Sequence, residues 1–293
     1  MKKFTFIDLF AGIGGFHLAC HNIGGECVFA SEWDNDCRKT YTKNFNKIAP
    51  KIFNKDGTPN NNYVGDITLV EPSSIPDHDL ICAGFPCQPF SQAGYKRGFN
   101  DTRGTLFFNV ANIMKEKQPK VVFLENVRGL LNHDNGKTFE VIKNTVEELG
   151  YNFHIKIIKA SDFGLPQHRP RLYMACIRKD LNDTFEFPTP IPLKMTMSDV
   201  FEGHVDKEIG FTLRVGGKGS PISDRRNWDG YIVDGVEKRV GPKEGKRMQG
   251  FPDDFEFPVS KGAAMKQLGN SVAVPAVQAF VKQIIKVLED NKK

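Results

Sequence analysis

The 293-residue chain is 40% hydrophobic and 26% charged, with a net charge of +5; this composition excludes a disordered or fibrous chain and suffices for one full core plus a smaller second domain. Its six cysteines, at 20, 27, 37, 82, 87 and 176, form no CxxC pair or framework spacing, so a reducing cytosolic interior is expected, with no metal-ligating set. Met1-Lys2-Lys3 leads directly into a strand-like run rather than a signal sequence, and no apolar stretch approaches the roughly 18 to 20 residues that cross a bilayer, so a soluble cytoplasmic protein without a membrane partner is expected.

Phe4 to Phe10 reads as a first strand. It runs into the glycine turn Ala11-Gly12-Ile13-Gly14-Gly15 and a helix over 14–23, an arrangement in which backbone amides can approach a ligand closely. A complete dinucleotide fingerprint would need glycine or alanine at position 17, where His17 stands, which weakens the pyrophosphate reading. A second strand, Cys27 to Ala30, ends near Glu32, 20 residues after Gly12, and Trp33 follows. A carboxylate for a sugar and an aromatic face for a base suit a nucleoside cofactor without a pyrophosphate, such as S-adenosylmethionine; a core aromatic beside a surface acid is the alternative. Asp66, in Val64-Gly65-Asp66-Ile67, could accept from an adenine amino group.

The third apolar run, Leu80 to Phe85, opens into Gly84-Phe85-Pro86-Cys87-Gln88-Pro89-Phe90-Ser91. Cys82 reads as a buried structural thiol. Cys87 differs: Pro86 biases the residue before it away from helix and loop-forming residues follow, so its thiol is expected at a strand's carboxyl end, as a candidate nucleophile. Val121 to Leu124 is a strand ending in Glu125, expected to share a crevice with Cys87 because ligands in open α/β sheets gather at carboxyl ends of strands; a solvated strand-end acid is the alternative. Helices over 105–117 and 137–149 and strands at 153–158 and 172–177 complete an α/β pattern with a parallel sheet covered on both faces. Before the last strand, Gln167-His168-Arg169-Pro170-Arg171 supplies two guanidiniums suited to phosphate or base-oxygen contacts, and His168 reads as a surface residue.

The alternation stops near residue 178. From Lys179 to Lys246 the chain is first proline-rich and then glycine-rich, as expected of a loop-built domain, after which a helix from Val274 to Leu288 returns to the sheet. The expected division is therefore 1–178, 179–246 and 247–293. Between Lys207 and Arg247 ten Lys or Arg face six acids, four of the five net charges, the footprint of a polyanion partner or of a solvated face. Arg214, Lys218, Arg225, Arg226, Asn227 and Trp228 are the candidates there for nucleic-acid grooves. Ser91, Lys96, Arg97 and Arg103 lie on a second basic stretch, Gln88 to Thr105, whose glycines suit a closing flap or a loose surface loop.

In order along the chain, Asp8-Leu9-Phe10-Ala11-Gly12, Pro86-Cys87-Gln88, Glu125-Asn126-Val127, Gln167 to Arg171, Arg247-Met248-Gln249-Gly250-Phe251-Pro252 and Gly269-Asn270-Ser271-Val272 resemble the blocks of bacterial cytosine-C5 DNA methyltransferases of restriction-modification type. The resemblance covers nearly everything outside the insert. It implies a Rossmann-like class I S-adenosylmethionine-dependent methyltransferase domain with a mostly parallel sheet and a small loop-rich target recognition domain. It implies catalysis by Cys87, Glu125, Arg169 and Arg171 on a flipped cytosine, and a cofactor site at Phe10, Gly12, Ile13, Gly14, Glu32, Trp33, Asp66, Ile67, Pro86, Leu106, Asn270 and Val272. The partner implied is double-stranded DNA, met by a monomer whose methylation protects against a cognate restriction endonuclease. One departure concerns Pro242-Lys243-Glu244, where the family usually has arginine at the middle position, leaving the bracing of the insert in question. A tRNA cytosine methyltransferase shares these blocks, but the basic insert and its lack of a Cys-Phe-Thr signature argue against it. A catalytically dead binding module is argued against by the intact Cys87 and Glu125.

Overall fold

The computed structural model describes residues 4–86, 106–216 and 219–292. Strands β1 (Phe4–Leu9), β2 (Gly25–Ser31), β3 (Tyr63–Val64), β4 (Leu80–Ala83), β5 (Val121–Val127), β6 (Tyr151–Lys159) and β7 (Pro170–Arg178) form one sheet in the order β3-β2-β1-β4-β5-β7-β6. The first five are parallel. Leu80-Ile81-Cys82-Ala83 is buried throughout, because a parallel strand covered on both faces has no solvent side on which to alternate. The chain leaves β1 toward β2 on one side and returns to β4 on the other, so the strand order reverses between β1 and β4, where open α/β sheets form a ligand crevice.

The parallel pattern expected from the sequence fails at one edge. β7 runs antiparallel to both β5 and β6. Only residues 160–169 join β6 to β7, too few for the crossover that a parallel pair requires. The reversal has a chemical consequence: it sets the start of β7 against the end of β5, with Arg171 opposite Val127 and Tyr173 opposite Glu125.

Helices α1 (Gly15–His21), α2 (Asn35–Phe45), α3 (Leu106–Lys117), α4 (Lys137–Glu148), α5 (Met197–Phe201), α6 (Pro242–Gln249), α7 (Lys261–Asn270) and α8 (Val274–Asp290) complete the described regular structure besides short 3₁₀ turns. Phe16, Phe45 and Phe280 cover one face of the sheet, whereas Val110, Met114, Ile142 and Val146 from α3 and α4 cover the other. Along α8, Val277, Phe280, Val281 and Ile284 are buried at helical spacing. Phe280 stacks on Phe123 at 4.3 Å between ring centroids, and truncating such a side chain costs about 3–5 kcal/mol. Residues 261–290 together are long and apolar enough for a bilayer span, but Ser271 to Ala273 break them into two helices and the apolar face of α8 is core.

The insert is less loop-like than its composition suggests. It contains a hairpin, β8 (Gly230–Val233) and β9 (Val236–Arg239), whose turn residues Asp234 and Gly235 have φ of 51° and 80°, as a two-residue turn matched to strand twist requires. Its apolar residues Val200, Leu213, Trp228, Tyr231 and Val240 belong to the same cluster as the α8 face. The boundary expected at residue 246 falls inside α6, where a Cβ on Gly245 would stand 2.8 Å from Leu268 Cδ1.

Candidate active site

The carboxyl ends of the parallel strands open into a cleft of about 840 Å³ that draws together loops after β1, β2, β3 and β4, the end of β5, the start of β7 and the α7–α8 junction. Of the twelve residues expected to hold a cofactor, Phe10, Gly12, Ile13, Glu32, Trp33, Asp66, Ile67, Pro86, Leu106, Asn270 and Val272 line it. Gly14 does not line it and has another role. At φ 86° it is the left-handed residue that starts α1, and a Cβ there would lie 2.2 Å from Phe45 Cε2. Phe10, a non-glycine residue at φ 56°, turns the chain out of β1 at the cleft wall, a backbone cost of order 1–3 kcal/mol that persists only where its surroundings enforce it. Gly15 leaves room for the α7–α8 junction: a Cβ would meet Val272 Cγ2 at 2.6 Å and Ser271 Oγ at 3.1 Å.

Glu32 ties the glycine turn to β2. Its Oε2 accepts from Gly12 N and its Oε1 from Asp34 N, both at 2.7 Å. Burial raises its carboxyl above the usual range, while the amides of Asp34 and Gly12 hold it back. Trp33 is 80% exposed at the cleft, so the core-aromatic alternative does not describe it. Asp66 Oδ1 accepts from Thr68 N and Thr68 Oγ1 at 2.9 and 2.8 Å, which fixes the turn after β3. His17, which breaks the dinucleotide fingerprint, is buried with Nδ1 2.5 Å from Tyr41 Oη and its ring stacked on Phe45. Burial lowers its pKa to about 3, so it packs α1 against α2 as a neutral ring and belongs to no phosphate site.

Glu125 is 8% exposed on β5, inside the strand rather than beyond it. Arg171 Nε reaches its Oε1 at 3.2 Å across the antiparallel β5–β7 pair. Burial pushes the Glu125 carboxyl up, and Arg171 and then Arg169 oppose that shift. A Cβ on Gly84 would lie 3.5 Å from Glu125 Oε2, which brings the loop after β4 against this acid. Asn126 Nδ2 donates to Phe85 O at 2.9 Å while its Oδ1 accepts from Val127 N, pinning that loop one residue before Pro86. Nothing in the Glu125-Asn126-Val127 block marks Asn126 as this tether, because its partner lies 41 residues earlier in the chain.

For Arg169, which the resemblance implies supports either its loop or a phosphate, the contacts seen are those of a loop support. It is 2% exposed, and its guanidinium donates to Leu213 O at 3.1 Å, to Gly269 O at 2.9 Å and to Ser271 O. It therefore bolts the insert and the α7–α8 junction to the start of β7. Burial lowers its pKa to about 9. Asn227 and Trp228, expected in a groove, are 7% and 2% exposed; Asn227 closes a turn with Gly230 and Trp228 Nε1 donates to Gly216 O at 2.9 Å. Arg214 and Arg225 are exposed, whereas Arg226 is paired with Asp224 at 2.7 Å. Lys243 Nζ and Arg247 Nη1 each lie 2.8 Å from a different oxygen of Glu202 after α5, so lysine makes one of two braces between α6 and the insert. Cys87, Ser91, Lys96, Arg97, Arg103 and Lys218 lie outside the described residues.

Three buried polar atoms that the sequence did not single out face this region without a hydrogen-bond partner: Ser31 Oγ, Gln267 Nε2 and Ser271 Oγ, all on residues lining the cleft. Buried polar groups are normally satisfied, so such atoms fit a polar ligand. Gln267 Oε1 already accepts from Thr40 Oγ1 at 2.9 Å, which directs the free amide. Together with the buried Glu32, the exposed indole of Trp33 and the glycine turn, they form a polar set compatible with the sugar, base and amino-acid parts of S-adenosylmethionine.

The family model of C-5 cytosine-specific DNA methylases matches residues 4–215 and 211–286. The chain belongs to this family. It is 40% identical to the Type II methyltransferase M.HhaI of Haemophilus parahaemolyticus over 95% of the chain and 93% of that protein. It is also 40% identical to the Type II methyltransferase M.HpaII of Haemophilus parainfluenzae, over 98% and 90%. Among solved structures, a putative DNA modification methyltransferase encoded in an E. coli prophage superposes with a TM-score of 0.72 at 22% identity, covering 97% of this chain and 99% of that one. The S. pombe Dnmt2 methyltransferase superposes at 0.68 with 20% identity, covering 99% and 100%. At those identities the likeness concerns the fold. The methylase is thus a Rossmann-like DNA cytosine-C5 methyltransferase of Type II restriction-modification type, with the antiparallel β7 supplying the arginine that faces its strand-end acid.

Proposed function

We propose that the protein transfers a methyl group to C5 of a cytosine swung out of double-stranded DNA, through a covalent bond from Cys87 to C6. The observation that carries this reading is the buried Glu125–Arg171 pair beside the loop that leads through Phe85 and Pro86 into Cys87. A base must leave the stack for C6 to be attacked. A free thiol is only a few per cent thiolate near neutrality, so Cys87 needs an electropositive setting, and Arg171 is the cation near its loop. Sulfur adds to C6, and the C5=C6 electron pair moves to C5. Glu125 in its protonated form donates to N3 while its other oxygen accepts from the exocyclic amine, and Arg171 donates to O2, so the displaced charge is spread over the ring. S-adenosylmethionine, when bound, supplies the electrophilic methyl. Once C5 carries that methyl, its proton passes to water, the double bond reforms and the S–C6 bond breaks, releasing Cys87.

Glu32 and Trp33 would hold the ribose and adenine of that cofactor, Asp66 would accept from the adenine amino group, and the Gly12 turn with Asn270 and Val272 would hold its remaining length. Arg214 and Arg225 of the insert would meet the duplex, and Ser91, Lys96, Arg97, Arg103 and Lys218 are assigned to it by sequence. The reading makes the protein a cytoplasmic monomer whose modification shields a site from a cognate endonuclease. Radiolabelled methyl transfer to duplex DNA and to tRNA, with Cys87→Ser as control, tests it. Label in DNA that disappears in the variant is expected. Label in tRNA alone, or label undiminished by the substitution, refutes the reading.

A further inference from the structure

Residues 213–216 and 219–220 of the insert form neither helix nor strand, yet side chains grip their backbone at short intervals. Leu213 N donates to Gln167 Oε1 at 2.9 Å, and Leu213 O accepts from Arg169. Arg214 lies on Gly269, whose missing Cβ would stand 2.8 Å from the Arg214 carbonyl. Gly216 O accepts from Trp228 Nε1 at 2.9 Å, Gly219 N donates to both oxygens of Asp229 at 3.2 Å, and Ser220 O accepts from Arg239 Nη1 at 3.0 Å. Arg239 Nη1 also pairs with Asp229 Oδ1 at 3.2 Å.

These holders are expensive groups. Asp229 is 0% exposed and Trp228 2%, and a carboxylate removed from water is costly unless paired and hydrogen-bonded. A surface connection that needed only to join two elements would leave its amides to water. Here a buried acid, an arginine and an indole donor fix the shape of a strip on which Arg214 is exposed, beside the Gly269-Asn270 wall of the cleft. Arg239, counted by composition among the insert's basic residues, is thereby committed to the strip rather than to a polyanion.

We propose that Trp228, Asp229 and Arg239 are positioning residues that determine target specificity: they fix the backbone at 213–216 and 219–220, so that the side chains it carries there meet only a duplex whose base edges match. The inference rests on the DNA-methylating reading above and adds how site choice is enforced. A strip that cannot adapt leaves unmatched polar groups on a wrong sequence, and a loosened one re-forms contacts there.

The test uses the full-length enzyme with Trp228→Phe, which keeps the buried ring and deletes only the Nε1–H donor, and Asp229→Asn, which keeps the shape and deletes the charge. Rates are compared on a duplex bearing the site that bisulfite sequencing identifies for the wild type and on duplexes altered at one base pair. Each variant is expected to lose about 10-fold or more in the ratio of kcat/KM between the two, within the range of one good base contact, while kcat on the correct site stays within about 3-fold. Parallel losses on both duplexes, or an unchanged ratio, overturn the proposal. If Asp229→Asn does not fold, the Trp228→Phe ratio decides. A wild type that methylates no duplex overturns the underlying reading; a wild type with a defined site and variants of equal selectivity overturn this proposal alone.

Discussion

Arg171→Met removes the cation that faces Glu125 while keeping most of the side-chain volume on β7. The pair is 3.2 Å apart with both side chains mostly buried; at an effective dielectric of about 20 the attraction is about 5 kcal/mol, and breaking a buried pair from one side costs about 3–5 kcal/mol. The sign of the pH dependence follows from the acid left behind. Burial already raises the Glu125 carboxyl and Arg171 is the larger of the two opposing charges, so its removal raises the folded pKa further. The unfolded chain releases this proton near pH 4 and the folded one only at higher pH, so the penalty grows by about 1.4 kcal/mol per pH unit between the two values. Urea denaturation of the wild type, Arg171→Met, Glu125→Gln and the double variant between pH 4 and 9 measures it. The single Met variant should lose most at pH 9, and the double variant should recover at least about 2 kcal/mol, because no charge remains to be buried. A penalty flat in pH, with the two substitutions additive within about 0.5 kcal/mol, would refute the reasoning.

Asp8 is fully buried, and burial raises its pKa well above the usual carboxylate range against the opposing pull of the His17 backbone amide. The fold therefore favours the protonated form, and stability on this account falls as pH rises above about 4; Asp8→Asn should be more stable than wild type at pH 8, with the gap in urea midpoint closing toward pH 5. Gly14→Ala should destabilise far more than Gly12→Ala in thermal melts: a Cβ at Gly14 enters the Phe45 ring, whereas one at Gly12 has nothing within 4 Å, leaving only a backbone cost of about 1 kcal/mol. Trp33→Ala should weaken S-adenosylmethionine binding by about 1–3 kcal/mol in calorimetry, the value of a base stacked on an aromatic. Its melting temperature should not move, because the indole is 80% exposed.

The sheet and its crevice were legible because buried parallel strands are short apolar runs, and because Glu32 and Glu125 interrupt or follow such runs where nothing in a core would favour an acid. The reversal of β7 was not legible. Periodicity reports burial and not direction, and only the brevity of 160–169 carried the signal. α2 and α7 escaped notice although Asp34 and Ser260 cap them, since their polar faces dilute the apolar stripe. The hairpin had its signal in Asp234-Gly235. Residue type misassigned Asn227 and Trp228: an amide and an indole on a basic segment read as groove contacts, but Asn227 closes a local turn with Gly230 and the indole donates to Gly216, twelve residues away.

The central claim is a covalent bond from Cys87 to a pyrimidine carbon, and duplex DNA carrying 5-fluorocytosine at the target position tests it most directly. Fluorine replaces the proton whose loss frees the sulfur, so incubation with S-adenosylmethionine should yield a denaturation-resistant protein–DNA species of one-to-one stoichiometry, with peptide mapping placing the adduct on Cys87 and Cys87→Ser forming none. A wild-type enzyme that methylates unmodified duplex yet leaves the fluorinated one unattached would contradict the account.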